Sequence, residues 1–227
     1  MKFNKKVCEG VQVSKKWILT LSDCVNTKTL KKYKVVTYDG KERGIRSSES
    51  STVKNMLVLL KMNANSNDEQ DYPGIAGTDT ANKYYKEARV YSPDGSDTFV
   101  STSVSFVSDA KCTKQGTAER YNKKRHDCFT AEPVSITECS LKSGHPIFGV
   151  VKDEWRLLGF STSEIDICDG TYKQATIVEP HQSWVEEILA DCGALPSIEN
   201  GVYEQDSSDG SMAVVTCDEG YSSDKKI

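Results

Sequence analysis

No apolar run in this chain is long enough to cross a bilayer as a helix. Cysteine never recurs as CxxC and the three histidines are scattered, so the spacing of a zinc site is missing; no metal and no cofactor are expected. No Asn-x-Ser/Thr sequon occurs, and glycosylation is not implied. There is no internal repeat and no long low-complexity tract, which excludes a stacked repeat array. Charge of one sign is lacking too. The 29 Lys and Arg against 33 Asp and Glu leave a formal net charge of −4, from which no general affinity for nucleic acid follows. The short basic clusters Lys2–Lys6, Lys31–Lys34 and Asn122–Arg125 read as solvated faces or loop tips.

What the chain does have is cysteine, eight of them, at positions 8, 24, 112, 128, 139, 168, 192 and 217. An even count at wide spacings among short strands points to disulfides, and so to an oxidising, secretory environment. The start, Met1 to Cys8, is basic and carries none of the apolar core of a signal peptide. The expectation is therefore a piece of a longer secreted protein. A length of 227 residues allows one large β domain or two smaller ones.

Cys8 and Cys24 bracket Val11 to Leu21, two short apolar pieces around a Ser-Lys-Lys turn, which reads as a hairpin closed by one disulfide. Tyr33–Tyr38 alternates as a strand and runs into an Asp39-Gly40 turn. Met56–Leu60 is a continuous apolar run of the length of a fully buried strand. Residues 63–71 form a polar connector. Ala88–Tyr91 and Phe99–Val107 make a hairpin around Pro93-Asp-Gly95, and 147–151 with 155–160 make another around Asp153-Glu154. Residues 108–128 hold a short helix or an extended loop closed by Cys112, and Ala175–Val178 is one more strand. Only Ser183–Ala190 has helical period: Trp184, Val185, Ile188 and Leu189 share a face opposite Glu186 and Glu187. Many short strands and one terminal helix describe an antiparallel β barrel or sandwich. Composition changes at Asp191-Cys192, so the expected domains are 1–191 and 192–227.

The stretch Cys139-Ser-Leu-Lys-Ser-Gly-His-Pro146 sets a serine before a glycine, and the apolar run from Ile147 follows at once. It reads either as a nucleophile loop, whose backbone N–H groups stabilise an oxyanion, or as a polar turn feeding a buried strand.

Three segments, in this order, resemble blocks of the trypsin-like (chymotrypsin-fold, S1-type) serine protease family. Trp17-Ile-Leu-Thr-Leu-Ser-Asp-Cys24 resembles Trp-Val-Leu-Thr-Ala-Ala-His-Cys, and Asn55-Met-Leu-Val-Leu-Leu-Lys61 resembles Asn-Asp-Ile-Ala-Leu-Leu-Lys. Cys139 to Pro146 resembles Cys-x-Gly-Asp-Ser-Gly-Gly-Pro, and Ser183–Leu189 resembles the closing helix. The likeness covers about residues 7–190. It implies a double antiparallel β-barrel with a C-terminal helix, N-terminally truncated of the family's first strands, and the pairs Cys8–Cys24, Cys112–Cys128 and Cys139–Cys168. From Cys192 onward, Cys-x-x-x-Pro-x-Ile-x-Asn-Gly and Cys217-x-x-Gly-Tyr221 resemble half of a sushi (complement control) module, which leaves the partners of Cys192 and Cys217 unassigned.

Carried over position by position, the family's general base falls on Asp23, its orienting aspartate on Met56 and its nucleophile on Ser143. The oxyanion-hole positions are Leu141 and Ser143, and the base of the specificity pocket is Thr137. A serine hydroxyl needs a base of near-neutral pKa, and an aspartate, at roughly 3.9, is a poor proton acceptor. Met56 cannot orient an imidazole. Lys142 stands where the family has the aspartate that pairs with its N-terminal ammonium, turning attraction into repulsion. His145 replaces a glycine beside the nucleophile, and Thr162-Ser-Glu164 replaces the substrate-holding Ser-Trp-Gly. Losing triad members costs on the order of a million-fold.

The resemblance thus implies a secreted pseudo-protease that binds protein partners, such as proteases or pattern-recognition proteins, in an extracellular proteolytic or innate-immune cascade. No nucleic acid and no membrane span are expected. Two alternatives stand beside it. One is an active serine hydrolase using Ser143 with a non-standard base, drawn from Lys142, His145, His126 or His181. The other is a truncated product without function.

Overall fold

Side-chain alternation builds the first sheet. The computed structural model describes residues 8–37, 40–51, 56–63, 72–77, 85, 87–93, 99–114, 124–132, 140–141, 144–162, 165–166, 169–190, 201–205 and 213–217. Within them, β1 (Val11–Gln12), β2 (Trp17–Leu21), β3 (Lys34–Val36), β4 (Glu42–Ser50) and β5 (Leu57–Met62) pair in the order β1-β2-β5-β4-β3. Every neighbour is antiparallel. On one face Ile18, Ile45, Val58, Leu60 and Met62 pack together, with Val25, Leu30, Tyr33 and Val35 laid against them. Leu19, Leu21, Leu57 and Leu59, on the opposite face, are buried as well. Covering on both faces is why β2 and β5 read as continuous apolar runs. Cys8–Cys24 closes the β1–β2 hairpin as expected, with Cα atoms 5.8 Å apart.

The second sheet closes on itself. It is built from β6 (Gly74–Ile75), β7 (Ala88–Pro93), β8 (Phe99–Val107), β9 (His126–Ala131), β11 (Pro146–Val151), β12 (Glu154–Ser161) and β14 (Lys173–Ile177). Its order is β11-β7-β8-β9-β14-β12-β6, and β11 also pairs with β12, so six strands form a ring and β6 adds to β12 in parallel. Val90, Val104, Phe129, Ile147, Phe160 and Ala175 supply its buried side chains, each large one worth about 1.5–3 kcal/mol on full burial. A Cβ on Gly159 would run into the Thr176 carbonyl oxygen across the β12–β14 ladder, so glycine is what lets these strands approach. Between β8 and β9, α1 (Asp109–Lys114) starts with the Cys112 N–H donating to the Ser108 carbonyl, at 3.0 Å. The Cys112–Cys128 disulfide ties α1 to β9. A closed six-stranded barrel and a five-stranded half-barrel sheet together make an all-β double antiparallel barrel.

The β11–β12 turn corrects the sequence reading by one residue. Glu154 pairs with Val151, and the two central residues are Lys152 and Asp153, at φ +50° and +64°. Both angles are left-handed, the geometry of a type I′ turn, which matches the twist of the flanking strands. L-residues pay for that geometry and glycine does not. Asp153→Gly is therefore expected to stabilise the chain by about 0.5–1 kcal/mol, read as a raised denaturant midpoint; an unchanged or lowered midpoint would contradict it.

A 3-10 turn, Glu179–His181, leads into α2 (Gln182–Ala190). Val185 is buried while Glu186 and Glu187 are exposed, the polarity that the sequence period indicates. Backbone contacts divide the chain into two compact units, Met1–Ser183 and Trp184–Ile227. In the second, β15 (Gly201–Gln205) and β16 (Ala213–Cys217) form an antiparallel hairpin in which Gly201 faces Cys217. The boundary expected at 191/192 lies outside the described residues, as does Cys192.

Candidate functional site

The segment entering β11 is held by one serine. Gly144 N–H donates to the Ser161 carbonyl at 2.9 Å, Ser161 N–H donates to the His145 carbonyl at 2.9 Å, and His145 N–H donates to Ser161 Oγ at 3.1 Å. Ser161 is fully buried and His145 nearly so. Sequence reasoning missed Ser161, because a serine at the end of an apolar strand carries no signal of what it binds.

Gly144 then brings this segment onto the first sheet's disulfide hairpin. Its φ is +93°, and a Cβ there would sit 2.9 Å from the Glu9 carbonyl oxygen and 3.5 Å from Cys24 Sγ. The Glu9 carbonyl is itself fixed, accepting from Thr20 Oγ1 on β2 at 2.7 Å. Asp23 is the exposed centre of a 3-10 turn, Ser22–Cys24, that follows β2 directly. Ser22 N–H donates to the Met56 carbonyl at 2.9 Å, and Met56 is half-buried immediately before β5. The backbone at Asp23, the backbone at Met56 and the residue following Ser143 are thus joined through Ser22 on one side and Cys24 on the other.

Ser143, Lys142, Thr137, Cys139 and Cys168 lie outside the described residues. Leu141 is described by its backbone: β10 (Ser140–Leu141) pairs antiparallel with β13 (Ile165–Asp166), Leu141 opposite Ile165 and Ser140 opposite Asp166. That ladder ends one residue short of Cys139 and two short of Cys168. Of the expected disulfides, Cys8–Cys24 and Cys112–Cys128 are present.

The histidines named as replacement bases are placed as follows. His181 is enclosed, and its Nδ1 shares a hydrogen bond with Ser51 Oγ at 2.5 Å. Burial pushes its pKa down to about 4. Ser51 is just as buried, and its N–H donates to the Leu57 carbonyl. They are 130 positions apart, and no sequence pattern announces this pair. His126 stands on β9 opposite Thr176, its pKa lowered by burial and by Arg125, against the opposing pull of Asp127. On the surface, Asp169 is held down to about 2 by hydrogen bonds from Lys173 Nζ, the Thr171 N–H and Thr171 Oγ1. Among the described residues no group of three or more His, Cys, Asp or Glu is placed to hold a metal ion, and no helix is long and apolar enough to cross a membrane.

The fold defines a class: an all-β, double-barrel chain stapled by disulfides, compatible with a chymotrypsin-like domain. No protein-family model matches the chain, and no curated protein matches it.

Proposed function

We propose that the chain is a catalytically inactive homologue of chymotrypsin-fold serine proteases, secreted, which acts by binding a protein partner in an extracellular proteolytic or innate-immune cascade. One observation carries this reading. Asp23 and Met56 occupy adjoining backbone joined by the Ser22–Met56 hydrogen bond, with Gly144 set against Cys24 beside them. A hydrolytic site at that junction needs a side chain that takes a proton near neutral pH and a second that orients it. An aspartate in its ordinary range is a poor base near neutral pH, and a thioether cannot orient one. What is left is the framework of a nucleophile loop, whose surface serves recognition.

The test is active-site labelling. A fluorophosphonate probe is expected to leave Ser143 unmodified, and a peptide thioester to turn over no faster with the wild-type chain than with Ser143→Ala. Labelling of the wild type that Ser143→Ala abolishes would instead establish a serine hydrolase with a non-standard base.

A further inference from the structure

The formal charge of this chain is strongly segregated. Residues 11–62 contain eleven Lys and Arg against four Asp and Glu, a net of +7, and the remaining residues carry −11. The half-barrel sheet displays this excess outward. In the 3-10 turn Thr27–Lys32, Leu30 packs against the apolar cluster, while Lys28, Lys31 and Lys32 are exposed. The turn lies beside β4 and runs into β3. On β3, Val35 turns inward and Lys34 and Val36 turn outward; on β4, Ile45 is buried and Arg46 exposed. Lys61 adds an ammonium over the Trp17 ring, 5.1 Å from its centroid. Glu42 answers Lys34 across the strands. Among the described residues, no carboxylate pairs with Lys28, Lys31, Lys32 or Arg46.

We infer that this face is a docking surface for a sulfated polysaccharide chain. Charge complementarity carries the inference: a cation-rich patch on an otherwise anionic molecule attracts a polyanion to one place and repels it elsewhere. Nine of the eleven cations are lysines, strongly hydrated point charges suited to sulfate groups without planar or stacked recognition. Unpaired nucleic-acid bases need aromatic platforms. Here the described aromatics are taken: Trp17 lies beneath Lys61, and the Tyr33 hydroxyl accepts the Asn26 N–H at 3.0 Å. The short basic cluster Lys31–Lys34, read in the sequence as a solvated face, becomes the centre of the surface once Lys28 and Arg46 are set beside it. This inference goes beyond the proposed function and stands whether or not Ser143 is reactive.

The experiment is calorimetric titration of the full chain with a heparin-derived octasaccharide at two salt concentrations. Binding is expected, weakening as salt rises because bound counterions are released. The triple variant Lys28→Glu, Lys31→Glu, Lys32→Glu should bind at least about tenfold more weakly, and Lys111→Glu, an exposed change on α1, should bind as the wild type does. Arg46→Gln gives a second, single-site reduction should the triple variant fail a circular-dichroism check of folding. No binding at the lower salt concentration, a triple variant that binds like wild type, or an equal loss in Lys111→Glu would overturn the inference. Equal or tighter binding of a single-stranded DNA of matched charge would do so as well, since the occupant would then be a nucleic acid.

Discussion

Gly144→Ala should destabilise the fold by about 3 kcal/mol, the sum of two independent costs. The first is conformational: at φ +93° an L-residue sits outside its allowed regions, a strain of about 1–3 kcal/mol. The second is steric. The new Cβ would stand 2.9 Å from the Glu9 carbonyl oxygen and 3.3 Å from its nitrogen, and these are backbone atoms that no rotamer change can move. Relief requires shifting either the Cys8–Cys24 hairpin or the entry to β11, and both are pinned, the first by its disulfide and the Thr20–Glu9 bond, the second by Ser161. Overpacking of this kind costs about 1–3 kcal/mol. Urea unfolding of the variant should show a lower midpoint at unchanged slope; a midpoint within error of wild type would mean that the loop is not seated on the hairpin.

Acid should weaken the fold before carboxylates matter. His181 titrates near 6.5 in an unfolded chain and, through burial, at about 4 in the folded one. Between these values the unfolded chain binds a proton that the fold refuses, so stability falls as pH drops from 6.5 to 4 and levels off below. The ceiling on this contribution is about 3 kcal/mol. His126, also lowered, adds in the same direction. Asp169 acts later: its contribution is present above its ordinary range and is lost as pH falls towards 2. Unfolding free energies measured from pH 7 to pH 4 should therefore slope downward in the wild type and be much flatter in His181→Gln. An equal slope in both proteins would remove His181 as the cause.

The barrels were legible in the sequence wherever apolar periodicity was clean. β2, β5, β7, β8 and α2 stand within a residue or two of where alternation or helical period placed them. β9 was not anticipated, for a physical reason. His126-Asp127-Cys128-Phe129 does not alternate, because Asp127, Cys128 and Phe129 are buried in succession where the Cys112 bridge covers a strand already packed in the barrel. The Gly201–Gln205 strand was hidden behind its turn-rich, linker-like approach. At the candidate site, the segments around Asp23, Met56 and Ser143 were identified by resemblance and not by local physics. No periodicity marks an aspartate in a 3-10 turn or a methionine whose carbonyl accepts from Ser22. The clamp by Ser161 and the Ser51–His181 pair were invisible, since each joins residues far apart in the chain.

The bridge between Cys112 and Cys128 has one more consequence. It joins Cys112, inside α1, to Cys128, inside β9. A cut in the sequence between Cys112 and Cys128 would give two polypeptides without separating the molecule. The wall on either side stays laced by the β8–β9 ladder, and the sulfur bridge holds the two pieces together until a reductant reaches it.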